Sequence, residues 1–286
     1  MKTAILKTLH YADIFDYPLT FEELRRYLVE KHTNKIELET NMNELISNNM
    51  LAFKDGYYFL PGRGSLIGLR EERKKWVDIK LKRVKKIAKF LKIIPWMKMV
   101  AVTGALAVEN CKEGDDIDLM IITSKSRLWL SRGLTVLFLR LFGLYRRPQK
   151  IKDTICPNVW ISTRSLKFSD EDLFTAHEIA QIKPLREKDN CYQNFIKNNL
   201  WIKKFLPNWE PSYKTSGRKE LEVTFTLGIP VFDFLDLIFY KLQLTYMRSK
   251  MTRETVGRNL ALFHPSDKKD GILSDFNRRI ADLSIP

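Results

Sequence analysis

Residues 100–125, "VAVTGALAVENCKEGDDIDLMIITSK", constrain this chain more than any other stretch. An apolar run ending at Val102 gives way to Thr103-Gly104-Ala105, and a second run, Leu119 to Ile122, begins directly behind Asp116 and Asp118. Short apolar runs bounded by turn residues read as buried strands. Residues two apart on a strand face the same side, so Asp116 and Asp118 are expected to converge. Two carboxylates that close repel each other and resist burial, and a divalent cation relieves both problems. Mg²⁺ suits such a pair, because it keeps several waters and binds through one or two carboxylates plus substrate phosphates. Gly104, placed after one strand and at the opening of a helix, lets the backbone approach an anion. Asp115 reads as a loop residue.

Around this stretch the pattern alternates. Met97 to Val102 and Ile117 to Thr123 read as strands, Ala105 to Glu109 and Arg127 to Phe142 as helices, and "NVWIST", residues 158–163, as a third strand. Ser169 is expected to cap the helix "DEDLFTAHEIAQI". From residue 186 the chain reads as helical, with a polar linker over residues 207–220. Alternation confined to the middle implies an α/β core between helical additions.

Upstream, residues 1–60 read as three helices and a hairpin. Tyr17-Pro18 ends the first helix, Thr20 and Glu23 form a capping box for the second, and the third covers about Leu38 to Asn49. Two apolar runs then flank Asp55-Gly56, a hairpin turn in which both residues must accept positive φ. That order is the order of a winged helix-turn-helix. Its third helix carries Glu37, Glu39 and Glu44 against one Lys35, which disfavours groove reading and favours a positioning or interaction role.

The net charge of +15 favours a polyanionic partner, and the charge gathers on residues 70–92, "REERKKWVDIKLKRVKKIAKFLK". Trp76, Ile79, Val84, Ile87, Phe90 and Leu91 recur near helical spacing, so the segment reads as an amphipathic helix with a basic outer face. Such a run is by default a solvated face, and the sharper reading is a helix that grips RNA, DNA or an anionic surface. Three widely spaced cysteines, Cys111, Cys156 and Cys191, form neither a disulfide framework nor a paired metal motif, so a reducing cytoplasm is expected. His10 and Asp13 interrupt the first apolar stretch, which therefore does not read as a signal peptide. The most apolar segments, 128–144 and 227–247, contain charges and read as core helices rather than membrane spans.

The Gly104-Ala105 turn followed by Asp116-Ile117-Asp118-Leu119 resembles the signature of the polymerase-β-like nucleotidyltransferase superfamily, a Gly-Ser or Gly-Gly turn and then Asp-apolar-Asp-apolar. The resemblance covers residues 95 to about 185. It implies an α/β (α+β) chain divided into a winged helix-turn-helix at 1–65, a basic connecting helix at 66–94, a minimal nucleotidyltransferase core at 95–185 and a helical region at 186–286. It further implies transfer of a nucleoside monophosphate from an NTP with Mg²⁺ or Mn²⁺. Asp116 and Asp118 would be the catalytic and metal-holding residues, and Gly104 and Ala105 would bind the nucleotide.

The chain departs from that pattern twice. Ala105 lacks the hydroxyl that a serine would offer a phosphate. "CPNVWIST" holds Asn158 and no carboxylate where a third acid is expected, while Asp153 precedes it and Glu178 follows on the next helix. A degenerate nucleotide-binding or nucleic-acid-binding regulator is therefore the alternative reading. Neither reading names the acceptor, the preferred NTP or the oligomeric state.

Overall fold

The runs at Met97–Val102 and Ile117–Thr123 look almost continuously hydrophobic because both of their faces are covered. Successive side chains enter two different cores. Met99, Ala101, Met120, Ile122 and Ile161 join one with Phe195 and Trp209. Val100, Val102, Leu119, Ile121 and Trp160 join the other with Val84, Trp129 and Leu139. Each such side chain removed from water stabilises the fold by roughly 1.5–3 kcal/mol.

The computed structural model describes residues 1–211, 213, 229–249, 251, 254–263, 266–281 and 283. Most of the expected polar linker, residues 214–220, lies outside them. The chain is mixed α/β. It begins with α1 (Lys2–Asp13), α2 (Phe21–Arg26), α3 (Lys35–Ser47) and a hairpin of β1 (Ala52–Lys54) and β2 (Tyr57–Phe59), followed by α4 (Leu66–Leu91). Then come β3 (Met97–Val102), α5 (Gly104–Ala107), β4 (Ile117–Thr123), α6 (Leu128–Leu141), β5 (Ile155–Ser162), α7 (Leu173–Ala180), β6 (Lys183–Glu187) and α8 (Cys191–Asn198). A 3-10 turn at Leu200–Lys204 precedes α9 (Ile229–Arg248), β7 (Thr255–Val256), β8 (Leu260–Leu262) and α10 (Ser266–Ala281).

Local rules account for the first sixty residues. The Thr20 hydroxyl accepts from the Glu23 amide at 3.3 Å while Glu23 accepts from the Thr20 amide at 2.8 Å, closing the capping box. Asp55 and Gly56 take φ of 52° and 83°, as the tight hairpin demands. Leu19 bridges antiparallel to Tyr58, so the hairpin gains a third short edge. Leu24, Leu38, Met42 and Leu45 fill a separate small core.

The main sheet has six strands in the order β6-β3-β4-β5-β8-β7. Only β4 and β5 run parallel, and the other neighbours are antiparallel. This corrects the expectation that residues beyond 186 are helical, since β7 and β8 close one edge of the sheet. Both are short, and β6, "KPLRE", is half-buried along its length, so none shows the apolar run that marks a central strand. A second correction concerns α7. Asp172 caps it, accepting from the Thr175 amide at 2.8 Å, whereas the Ser169 hydroxyl donates to Asp170. Among the described residues, no helix is long and apolar enough to cross a membrane.

The long helix α4 departs most from expectation. Its inward residues are Leu66, Arg70, Arg73, Val77, Lys80, Val84, Ile87 and Leu91, spaced alternately four and three apart. Ile79 and Phe90, expected inside, are 53% and 57% exposed. Three cations turn inward because oxygens await each of them. Arg70 binds both carboxylate oxygens of Glu23 at 2.8 and 2.9 Å, between the rings of Tyr17 and Tyr57. Arg73 donates to the carbonyl of Asp16 at 3.2 Å and to the Asn110 side chain. Lys80 reaches the acidic loop. The outer face keeps Lys82, Arg83, Lys85, Lys86 and Lys89 exposed.

Candidate functional site

Glycine is required at position 104 for two separate reasons. Its φ of +60° is costly for any residue with a side chain, and a Cβ built there would lie 2.7 Å from Oδ2 of Asp118. The backbone of the turn is thus seated directly against the second carboxylate. The Thr103 amide donates to the Asp118 carbonyl at 3.1 Å, which ties the turn to β4.

The loop carrying the acids is held from beneath by α4. Lys80 is fully buried, and its ammonium donates to the carbonyls of Asp115 (2.7 Å) and Glu113 (3.0 Å) and to Oδ1 of Asp153 (2.8 Å). Asp115 closes its own turn by accepting from the Lys112 amide at 2.7 Å. A buried charge with all three donors used is stable where an unpaired one would not be. Asp153 is therefore committed to Lys80 and stands outside the acid pair.

Asp116 and Asp118 come together as their spacing suggests. Oδ2 of Asp116 meets Nε of Arg146 at 2.5 Å, and Oδ1 of Asp118 accepts from Nδ2 of Asn158 at 2.5 Å. Cys156 lies opposite Asp118 in the parallel β4–β5 register. One carboxylate oxygen from each aspartate and Sγ of Cys156 fall within 4.8 Å of one another. The register slips between Leu119 and Met120, where β5 steps from Pro157 to Val159 and leaves Asn158 as the extra residue. That bulge delivers the amide to Asp118.

Electrostatics at the site favour a bound cation. Burial, and then the Asp116 charge, push Asp118 up to about 7, with Lys268 and Arg146 opposing. Burial, and then Asp118 and Asp116, push the Cys156 thiol up to about 12, so it stays protonated at neutral pH. Glu178 on α7 is raised to about 7 by burial and then by Asp118, with Lys268 opposing. A third carboxylate therefore shares the field of Asp118 without joining the close cluster.

The group of Asp116, Asp118 and Cys156 could hold a metal ion. Its donors, one oxygen from each carboxylate and the sulfur of Cys156, fit a divalent cation.

A cavity of about 190 Å³ opens beside the acids, walled by Arg132, Tyr145, Arg146, Cys156, Asn158 and Phe263. Arg146 and Asn158 each have one side toward an acid and another toward this space. The sequence pointed to neither Arg146 nor Cys156, because their partners lie far away in the chain.

Other residues near the site have partners of their own or offer only backbone. Ala105 sits in the short helix α5 and offers only its backbone. Arg127 pairs with Asp233 across to α9. His177 stacks on Tyr11 with ring centroids 4.2 Å apart, and burial pushes it down to about 3. It joins α7 to the N-terminal helices. No protein-family model matches the chain, and no curated protein matches it.

Proposed function

We propose that the chain is a nucleotidyltransferase, moving a nucleoside monophosphate from an NTP to a hydroxyl-bearing acceptor with release of pyrophosphate. The observation that carries this reading is the convergence of Asp116 and Asp118 against the Gly104 turn, with one oxygen of each close enough to share a cation. Bound there, Mg²⁺ or Mn²⁺ would neutralise the triphosphate and offset charge developing on it during in-line displacement.

Each residue has a stated role in this reading. Asp116 and Asp118 hold the cation. Arg146 orients Asp116, and Asn158 orients Asp118. Gly104 and Ala105 bring main-chain amides to the nucleotide, with no side chain between them and Asp118. Lys80 keeps the loop in register with β4. Residues 1–65 act as a winged helix-turn-helix that positions the enzyme, a reading supported by the three helices, the hairpin and the Leu19–Tyr58 bridge. Residues 66–94 connect it to a core at 95–185. The exposed cations Lys82, Arg83, Lys85, Lys86 and Lys89 would meet nucleic acid if the acceptor is one. The free thiols of Cys111, Cys156 and Cys191 agree with a cytoplasmic setting.

One observation favours a second reading. Asn158 offers an amide to Asp118 where the resembled family places its third acid, which suits a nucleotide-binding regulator that no longer transfers. A screen of radiolabelled NTPs with Mg²⁺ or Mn²⁺ against the protein itself, RNA and small acceptors separates the two. Transfer that disappears in Asp116→Asn and Asp118→Asn supports the enzyme. Metal-dependent NTP binding without transfer to any acceptor supports the regulator. NTP binding indifferent to both substitutions removes the basis of either.

A further inference from the structure

Arg132 is a cation without an anion. One Nη donates to Oε1 of Gln243, its guanidinium lies over the Phe263 ring at 4.5 Å, and Nε is buried with no partner. Among the described residues, no carboxylate pairs with it. Burial pushes its pKa below the usual arginine value, as an uncompensated charge requires. The cavity that Arg132 lines also receives Arg146, which meets Asp116 through Nε. Two guanidiniums and, among the described residues, no acid therefore line one small space.

The same cavity holds an acceptor that lacks a donor. Nδ2 of Asn158 donates to the Asp118 carboxylate, the orientation that an ionised Asp118 requires, because the reverse would set oxygen against oxygen. Oδ1 of Asn158 is left buried and unpartnered. It calls for a hydroxyl or amine, at a point one side chain away from Asp118. Buried polar atoms without partners are rare enough that a pair of them in one cavity needs a reason.

We propose that this cavity is a subsite for a small phosphorylated alcohol, whose phosphate sits on Arg132 and Arg146 and whose hydroxyl donates to Oδ1 of Asn158. Planar guanidiniums match phosphate oxygens in pairs. The volume of about 190 Å³ is below that of sites for drug-sized ligands, which limits the occupant to a sugar-phosphate scale. The role of the occupant as acceptor rests on the nucleotidyl-transfer reading. In that step the hydroxyl oxygen bonds to the α-phosphorus of the NTP. The bond from that phosphorus to the bridging oxygen breaks, pyrophosphate leaves with its electron pair, and the hydroxyl proton passes to water.

Calorimetric titration of the full chain with ribose 5-phosphate, ribose and inorganic phosphate, without nucleotide, tests the subsite. Ribose 5-phosphate should bind tightest. Arg132→Gln should weaken it at least about tenfold, the equivalent of 1.4 kcal/mol. Asn158→Ala should weaken ribose 5-phosphate while leaving inorganic phosphate unchanged. Thermal melts of both variants establish that they are folded, and Arg132→Gln should melt no lower than the wild type because it removes an unpaired buried charge.

Equal binding by wild type and folded Arg132→Gln, or no ribose 5-phosphate binding by the wild type, overturns the proposal. So does a loss confined to a non-hydrolysable NTP analogue, which would assign the arginines to the nucleotide tail. Ribose 5-phosphate binding with these variant effects but no transfer from any NTP leaves the subsite standing and defeats the enzyme reading. Transfer to another acceptor, unaffected by Arg132→Gln, does the opposite.

Discussion

The side-chain amide of Asn158 donates to the Asp118 carboxylate at 2.5 Å, from a bulge in β5 that brings it there. An amide at this position quiets the site in the absence of metal, because it adds a donor where a third carboxylate would add a charge. Asn158→Asp should therefore lower stability in metal-free buffer by about 1–3 kcal/mol and recover more with Mg²⁺ than the wild type does. Chemical denaturation with and without Mg²⁺ measures both halves. An equal Mg²⁺ effect in the two proteins would show that no ion sits near Asp118.

Gly104→Ala tests the close approach of turn and acid. Positive φ costs an alanine roughly 1–2 kcal/mol, and its Cβ would displace the Asp118 carboxylate. Both stability and Mn²⁺ affinity should fall, the latter read by electron paramagnetic resonance. A stability loss with unchanged Mn²⁺ affinity would separate the turn from the metal.

Lys80→Met leaves two carbonyls and Asp153 without their shared donor. The loss should be about 3 kcal/mol, at the lower end for broken buried pairs because Asp153 is partly exposed and can take water. Urea denaturation measures it. Lys85→Met on the outer face of the same helix should change stability little, since that position is exposed.

His177 gives the fold an acid-sensitive joint. Burial pushes its pKa from 6.5 to about 3, so the folded chain keeps it neutral while the unfolded chain protonates it below 6.5. Above 6.5 both states are neutral and the group contributes no pH dependence. As pH falls from 6.5 toward 3 it should remove about 1.4 kcal/mol of stability per unit. The difference in denaturation midpoints between wild type and His177→Phe, followed against pH, isolates this from the carboxylates. A parallel pair of curves would show that His177 is not neutral and buried as placed.

The legible parts of this chain were those governed by neighbours in sequence. Thr20 and Glu23, Asp55 and Gly56, and the spacing of Gly104, Asp116 and Asp118 each obey a rule that acts over a few residues. Asn158 was legible as the residue standing where a third acid is expected, but its bond to Asp118, like the approach of Cys156 and Arg146, depends on strand register and long-range packing, which leave no local trace. The basic run of α4 misled for a different reason. Lysine and arginine count as outward in any hydropathy pattern, yet Arg70, Arg73 and Lys80 find oxygen partners supplied by distant segments. Strands β6, β7 and β8 were too short or too polar to register at all.

The N-terminal helices have their own small core, but Tyr11 and Val29 belong to the large cluster with Phe195 and Trp209. The Glu30 amide donates to the Phe205 carbonyl, Asn208 bonds to both the Thr33 amide and the Lys31 carbonyl, and Asp13 pairs with Arg279. Residues 13–33 are thus completed by partners at Phe205, Asn208 and Arg279. The N-terminal helices can form early, since their contacts are local, but their docking must wait for nearly the whole chain and closes some of the longest loops in the molecule. Until then Tyr11, Val29 and their neighbours remain uncovered, which makes the partly folded chain, before this docking, the state most open to aggregation.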